Sequence, residues 1–208
     1  MIQNTTKVAG NLALLMVAML YGLFAAEIAS AQSAIAESAG AAHKKSSTPN
    51  MSDIEKIALA MSAGPAEIAK NATITDMATM KQLRAGSNGW VCYAAAGEPM
   101  CLDKQWQAWA KAWMTKTEPK IEGTGIAYML RGDTGASNVD PFAAKPTADN
   151  KWVVSPAHLM VLFQDQKMLE SYPTDPMNGG PWVMWKGTPY AHIMVPVSPI
   201  KMATMSSK

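Results

Sequence analysis

A strong charge of either sign is missing from this chain. Lys and Arg total 18 against 16 Asp and Glu, for a net charge of +2, and charged residues fill only 16% of 208 positions. Nucleic-acid binding needs a clustered basic surface, so this balance argues against such a partner. Only two cysteines and three histidines are present. No G-x-S-x-G elbow, S-x-x-K, H-E-x-x-H or P-loop occurs, so the hydrolase and NTPase templates receive no support. A single hydrophobic stretch near the N-terminus is long enough to interact with a bilayer, which excludes a multi-span protein. No repeat of solenoid period is found. What is present is an apolar fraction of 49%, too high for a wholly disordered chain.

Residues 1–31 read as a secretory signal. Lys7 supplies the positive region, residues 12–26 (LALLMVAMLYGLFAA) form an uncharged apolar run, and Ala29-Ser30-Ala31 gives the small-x-small pattern that a signal peptidase requires. The mature chain is expected to begin near Gln32. The alternative is an uncleaved anchor, against which stand Gly10, Asn11 and Glu27. Membrane contact is expected only through this segment, and the remainder is expected to be exported, periplasmic or secreted. Residues 32–50 are rich in Ala, Ser and Lys without apolar period and read as a flexible linker. His43 falls there, beside Lys44 and Lys45. Residues 51–197 form the expected globular domain, and 198–208 a frayed, disordered tail.

Cys92 and Cys101 both lie in the exported part, where an oxidising compartment favours their pairing. Gly97 and Pro99 lie between them and allow the chain to turn back. A redox role is less consistent with the spacing, which is not C-x-x-C. Ser52 and Glu55 have capping-box spacing ahead of an apolar face of Ile54, Ile57, Ala58 and Met61, with Gly64-Pro65 as the stop. Extended segments are expected at 69–75, 80–84 and 90–93. A second helix starts from Asp103 and runs until Pro119. Further strands are expected at 125–130, 158–163, 182–185 and 190–195, the last two as a hairpin, with a long polar loop at 131–151 and a short helix at 166–171. The pattern gives an α+β single domain: a mostly antiparallel sheet with one or two packed helices and one disulfide.

Several motifs, GIAYML-x-GD-x-GASN-x-DP (125–141), P-x-HLM (156–160), NGGP-x-VMWKGTPYAHIMVPV (178–197) and GW-x-C…PMCLD (89–103), resemble a family of small exported bacterial proteins. The resemblance implies export and a shared fold, and it carries over no activity and no catalytic residue. Residues 77–80 depart from its pattern, standing where a tight Asp/Gly turn is expected.

His158 and His192 have matching surroundings, AHLMV and AHIMV. On strands, period 2 places His158 with Met160, and His192 with Met194, on one face. Two such pairs on neighbouring strands could give a His₂Met₂ set suited to Cu(I). Zinc would need a further ligand from a loop, from Asp133, Asp140 or Asp175. The competing reading is an apolar core with hydrogen-bonded histidines, since the chain carries 17 methionines. Asp133, Ser137, Asn138 and Asp140 form the densest polar loop. Either carboxylate could orient a histidine for hydrolytic acid–base work, or all four could make local turns. Trp106, Trp109 and Trp113 share a helical stripe, as core or as a stacking surface for a flat ligand or sugar. Function therefore reads as an exported, non-catalytic binding module for a small ligand or protein, with a copper or zinc protein and a His–Asp hydrolase as alternatives. Whether it is an enzyme is left open.

Overall fold

The computed structural model describes residues 50–198. The expected signal (1–31), residues 32–49 of the linker with His43, and residues 199–208 of the tail lie outside the described residues. Among the described residues no helix is long and apolar enough to cross a membrane.

Helix α1 (Asp53–Met61) starts where the capping box requires: Glu55 N donates to Ser52 Oγ at 3.3 Å, and Ser52 N donates to Glu55 Oε2 at 2.7 Å. The expected buried face is only partly right, because Ile54 is 80% exposed and Ala58 is also exposed. Ala60 is buried instead, with Ile57 and Met61 beside it, because α1 packs on a cluster built largely of alanines, Ile74 and the two cysteines. After the Gly64-Pro65 stop the chain makes a short helix, α2 (Ala66–Ala69), whose last residue is the first of the segment expected to be extended over 69–75. Pro65 explains the difference: its fixed φ suits a helix start, and strand β1 (Thr73–Asp76) begins only afterwards.

The remaining strands are β2 (Gln82–Arg84), β3 (Val91–Ala94), β4 (Met100–Leu102), β5 (Thr124–Met129), β6 (Ala136–Ser137), β7 (Trp152–Val153), β8 (His158–Phe163), β9 (Trp182–Met184) and β10 (His192–Pro196); α3 (Lys104–Met114) lies between β4 and β5, and a 3-10 turn (Gln166–Leu169) follows β8. Eight strands form one sheet in the order β2-β1-β3-β4-β5-β8-β10-β9, and β6 and β7 form a separate ribbon inside the expected loop and its flank. Every pairing is antiparallel except β1 with β3.

The β1–β2 hairpin closes despite the departure at 77–80. Asp76 Oδ1 accepts from Ala78 N at 3.0 Å, and Met80 takes the left-handed φ of 55° that a glycine would otherwise supply. Lys56 Nζ reaches Asp76 Oδ2 at 2.6 Å and ties α1 to this turn. From β2 the chain crosses the start of β1 to become its parallel neighbour. Gly86 makes that crossing, where a Cβ would stand 2.1 Å from Thr73 N.

Cys92 and Cys101 are direct partners across β3 and β4 and form the disulfide, with Cα atoms 4.0 Å apart. Closing this loop stabilises the fold by roughly 2–3 kcal/mol in the chain-entropy model. Both cysteines belong to the cluster under α1, while the next residue of β4, Leu102, belongs to the cluster under α3. Strand alternation therefore puts the two helices on opposite faces of the sheet. Asp103 caps α3, its Oδ1 accepting from Trp106 N at 2.8 Å. Gly125 lets α3 approach, since a Cβ there would lie 2.9 Å from Gln105 Cβ and 3.2 Å from Trp106. A third cluster, of Leu169, Val183, Ala191 and Ile193, fills the other half of the far face.

Candidate functional site

The sheet face beneath α3 gathers most of the residues singled out from the sequence. Strand β8 alternates cleanly, so His158, Met160 and Leu162 point inward, and β10 turns His192 and Met194 into the same body. The antiparallel register sets Met194 opposite Met160 and His158 opposite Pro196. The two histidines therefore stand at opposite corners of the methionine pair, not side by side. On its other flank His158 faces Met129 of β5, and His192 faces Met184 of β9.

Each imidazole is held through Nδ1 by a backbone carbonyl two residues earlier. His158 Nδ1 lies 2.6 Å from Pro156 O, and His192 Nδ1 lies 2.9 Å from Tyr190 O. A carbonyl can only accept, so Nδ1–H donates and Nε2 carries the lone pair. Burial pushes His192 down to about 4, opposed by the Tyr190 carbonyl and reinforced by the charge of His158. Burial also holds His158 below the ordinary imidazole value, against the pull of the Pro156 carbonyl. Both rings are neutral at pH 7. His158 Nε2 is buried without a hydrogen-bond partner.

His192 stands edge-on to Trp106, Trp109 and Trp185 at centroid distances of 5.2, 5.6 and 5.0 Å. Trp109 and Trp185 stack at 5.8 Å and 3°, and Trp113 continues the array toward Phe142 at 6.2 Å and 8°. Trp106 and Trp109 are only 2% and 6% exposed, so the two are core rather than a stacking surface. Trp113 is half-buried, its Nε1 donating to Pro141 O at 3.0 Å.

The polar loop wraps this aromatic body and is occupied in doing so. Trp182 Nε1 donates to Asn138 Oδ1 at 3.1 Å, and Trp185 Nε1 donates to Ser137 O at 2.6 Å. Asn138 Nδ2 donates to Thr174 O, while Ser137 Oγ donates to Asn150 O and accepts from Asp140 N. Asp140 Oδ1 accepts from Phe142 N. Asp133 Oδ1 accepts from Ser155 N at 2.8 Å and Gly135 N at 2.9 Å. Burial pushes the Asp133 carboxyl up to about 6 against those two amides, and the charge of Glu98 adds to the rise. Backbone carbonyls, and not Asp133 or Asp140, orient the two histidines. Asp175 Oδ1 likewise serves a turn, accepting from Met177 N. Among the described residues no three His, Cys, Asp or Glu side chains converge where a metal could sit, so a zinc set lacks its third ligand.

Sequence reasoning did not single out a cleft of about 330 Å³ lined by Asn88, Gly89, Trp90, Asp103, Lys104 and Gln105. Trp90 directly precedes β3 and Asp103 directly follows β4, so the walls are two residues from either end of the disulfide. Trp90 is half-buried, with its ring 5.6 Å from that of Tyr128. Both Asp103 oxygens are occupied, by Trp106 N at 2.8 Å and Ile126 N at 2.6 Å. Gln105 Oε1 accepts from Glu122 N, leaving its amide N–H groups for the cleft. The clue in the sequence was the GW-x-C…CLD pattern, which yields a cleft only once β3 and β4 are paired.

Fold and site together define a small α+β domain with one cross-strand disulfide, a closed His/Met face and an open cleft beside a tryptophan. Comparison of the chain with protein-family models, curated proteins and solved structures returned no match.

Proposed function

We propose that this chain is an exported, non-catalytic binding protein whose ligand occupies the Trp90 cleft. The observation that carries the reading is the placement of the disulfide, which braces both walls of that cleft through the Cys92–Cys101 pair. Export is supported by the apolar run at 12–26, the Ala29-Ser30-Ala31 pattern, the motif resemblance and the presence of a disulfide. The non-catalytic reading is supported by the lack of a hydrolase or NTPase template in the sequence and by the structural use of Asp103, the cleft's carboxylate, which caps α3 through Trp106 N and anchors Ile126 N.

The lining sets the ligand class. Trp90 offers an apolar ring, and Lys104 and Gln105 offer N–H donors. A small hydroxylated, sugar-like molecule matches that combination: its C–H face stacks on the ring and its hydroxyls accept from the donors. Titration with a panel of monosaccharides and disaccharides, followed by amide and indole NMR, tests the proposal. The Trp90 indole and Gly89 amide signals should shift with at least one of them, and Trp90→Ala should abolish the shift without changing the rest of the spectrum. Signals that stay unmoved by every sugar at millimolar concentration would refute the ligand class.

A further inference from the structure

We propose a second, separate site: a soft-cation centre of Cu(I) class beneath α3, formed by His158 Nε2 with the thioethers of Met129, Met160 and Met194. Three observations carry it. His158 is fully buried, its Nδ1–H is committed to Pro156 O, and its Nε2 lone pair has no partner. An acceptor left unpaired in a protein interior is costly, so such a group calls for a physical reason.

The second observation is the register. Met129 is directly opposite His158, Met160 is two residues along the same strand, and Met194 is opposite Met160. All three methionines are inward and at most 8% exposed. Directly opposed Cβ atoms lie roughly 4.5–5.5 Å apart and diagonal ones about 7–8 Å. A methionine arm with three rotatable bonds spans such gaps.

The third is the chemistry of the donors. The set is one neutral imidazole and thioethers, with no carboxylate among them. Calcium and magnesium need oxygen ligands, and zinc in proteins is bound through thiolate, imidazole and carboxylate. Imidazole with thioether suits Cu(I). The Nδ1–H bond to a backbone carbonyl is also the arrangement that orients a histidine for metal binding through Nε2. His192 lies beyond the Met160–Met194 pair, enclosed by indole rings, and is placed outside this centre. Met129, invisible as a candidate before the strand order was known, replaces it.

The test uses the purified, disulfide-bonded protein, titrated with Cu(I) under argon, and with redox-inert Ag(I), against a chromophoric chelator. One ion per chain is expected, with the methyl signals of Met129 and Met160 shifting on binding. The double variant Met129→Leu/Met160→Leu keeps core volume and should melt close to the wild type without metal. It should lose roughly tenfold or more in affinity. Binding that is absent, or that the double variant leaves unchanged, overturns the proposal.

Discussion

Replacing Asp133 with Asn should raise stability at neutral pH far more than in acid. Asp133 Oδ1 accepts from Ser155 N and Gly135 N, and an amide oxygen can accept the same two bonds. Burial pushes the carboxyl up to about 6 in the folded chain, whereas an unfolded Asp titrates near ~3.9. A folded value above the unfolded one means that the folded chain holds more protons between the two. The contribution of this group is therefore fully present in acid and is lost as pH rises through 6. Two units of separation correspond to about 3 kcal/mol by neutral pH, and Asn carries no such loss. Urea unfolding, followed by tryptophan fluorescence, gives the stability of both proteins. The advantage of Asp133→Asn should grow by about 2 kcal/mol between roughly pH 4.5 and pH 7.5. The two depressed histidines act with the opposite sign, but they are common to both proteins and cancel in the difference. An advantage that stays constant, or that grows toward acid, would refute the reasoning.

Other perturbations follow from particular contacts. Cys92→Ser/Cys101→Ser should cost roughly 2–3 kcal/mol in urea unfolding and broaden the Trp90 indole signal, because the cleft walls lose their brace. Asp76→Asn should destabilise by about 3 kcal/mol at pH 7, since it leaves the Lys56 ammonium unpaired beside a buried turn. Burial raises the Asp76 carboxyl, but the Lys56 contact and the Ala78 amide outweigh it and hold the value below the usual range. That contribution is therefore present above the ordinary Asp value and fades as pH falls below it, measurable as a steeper acid limb in wild type than in the variant. Gly125→Ala should lower stability by about 1–3 kcal/mol, read by thermal melting, because its methyl group would press on Gln105 and Trp106.

Local signals in the sequence were readable where one element decided its own structure. Ser52 and Asp103 mark their helices because a cap needs only its own first turn. Strand β8 has the bounds expected of it, since six residues give alternation enough to see. Strands of two or three residues, such as β4, β6 and β7, have no period to detect. The parallel pairing of β1 with β3 depends on Gly86 crossing over β1, which no local pattern announces.

The site divides in the same way. The inward faces of His158 and His192 followed from period 2, whereas their separation by Met160 and Met194 needed the register. The polar loop reads as reactive in the sequence because its acceptors have no visible partners there. The fold supplies those partners in the indole N–H groups of Trp182 and Trp185, more than 40 residues away. The Trp90 cleft was hidden for the same reason, its two walls being brought together by the β3–β4 pairing.

Export underlies the proposed function, and one measurement tests it most directly. Protein isolated without reductant from the cells that make it is alkylated, and its intact mass and N-terminal residue are determined. The account predicts a chain starting near Gln32 with neither Cys92 nor Cys101 alkylated. A cytosolic chain that retains residues 1–31 and carries two alkylated thiols would contradict it.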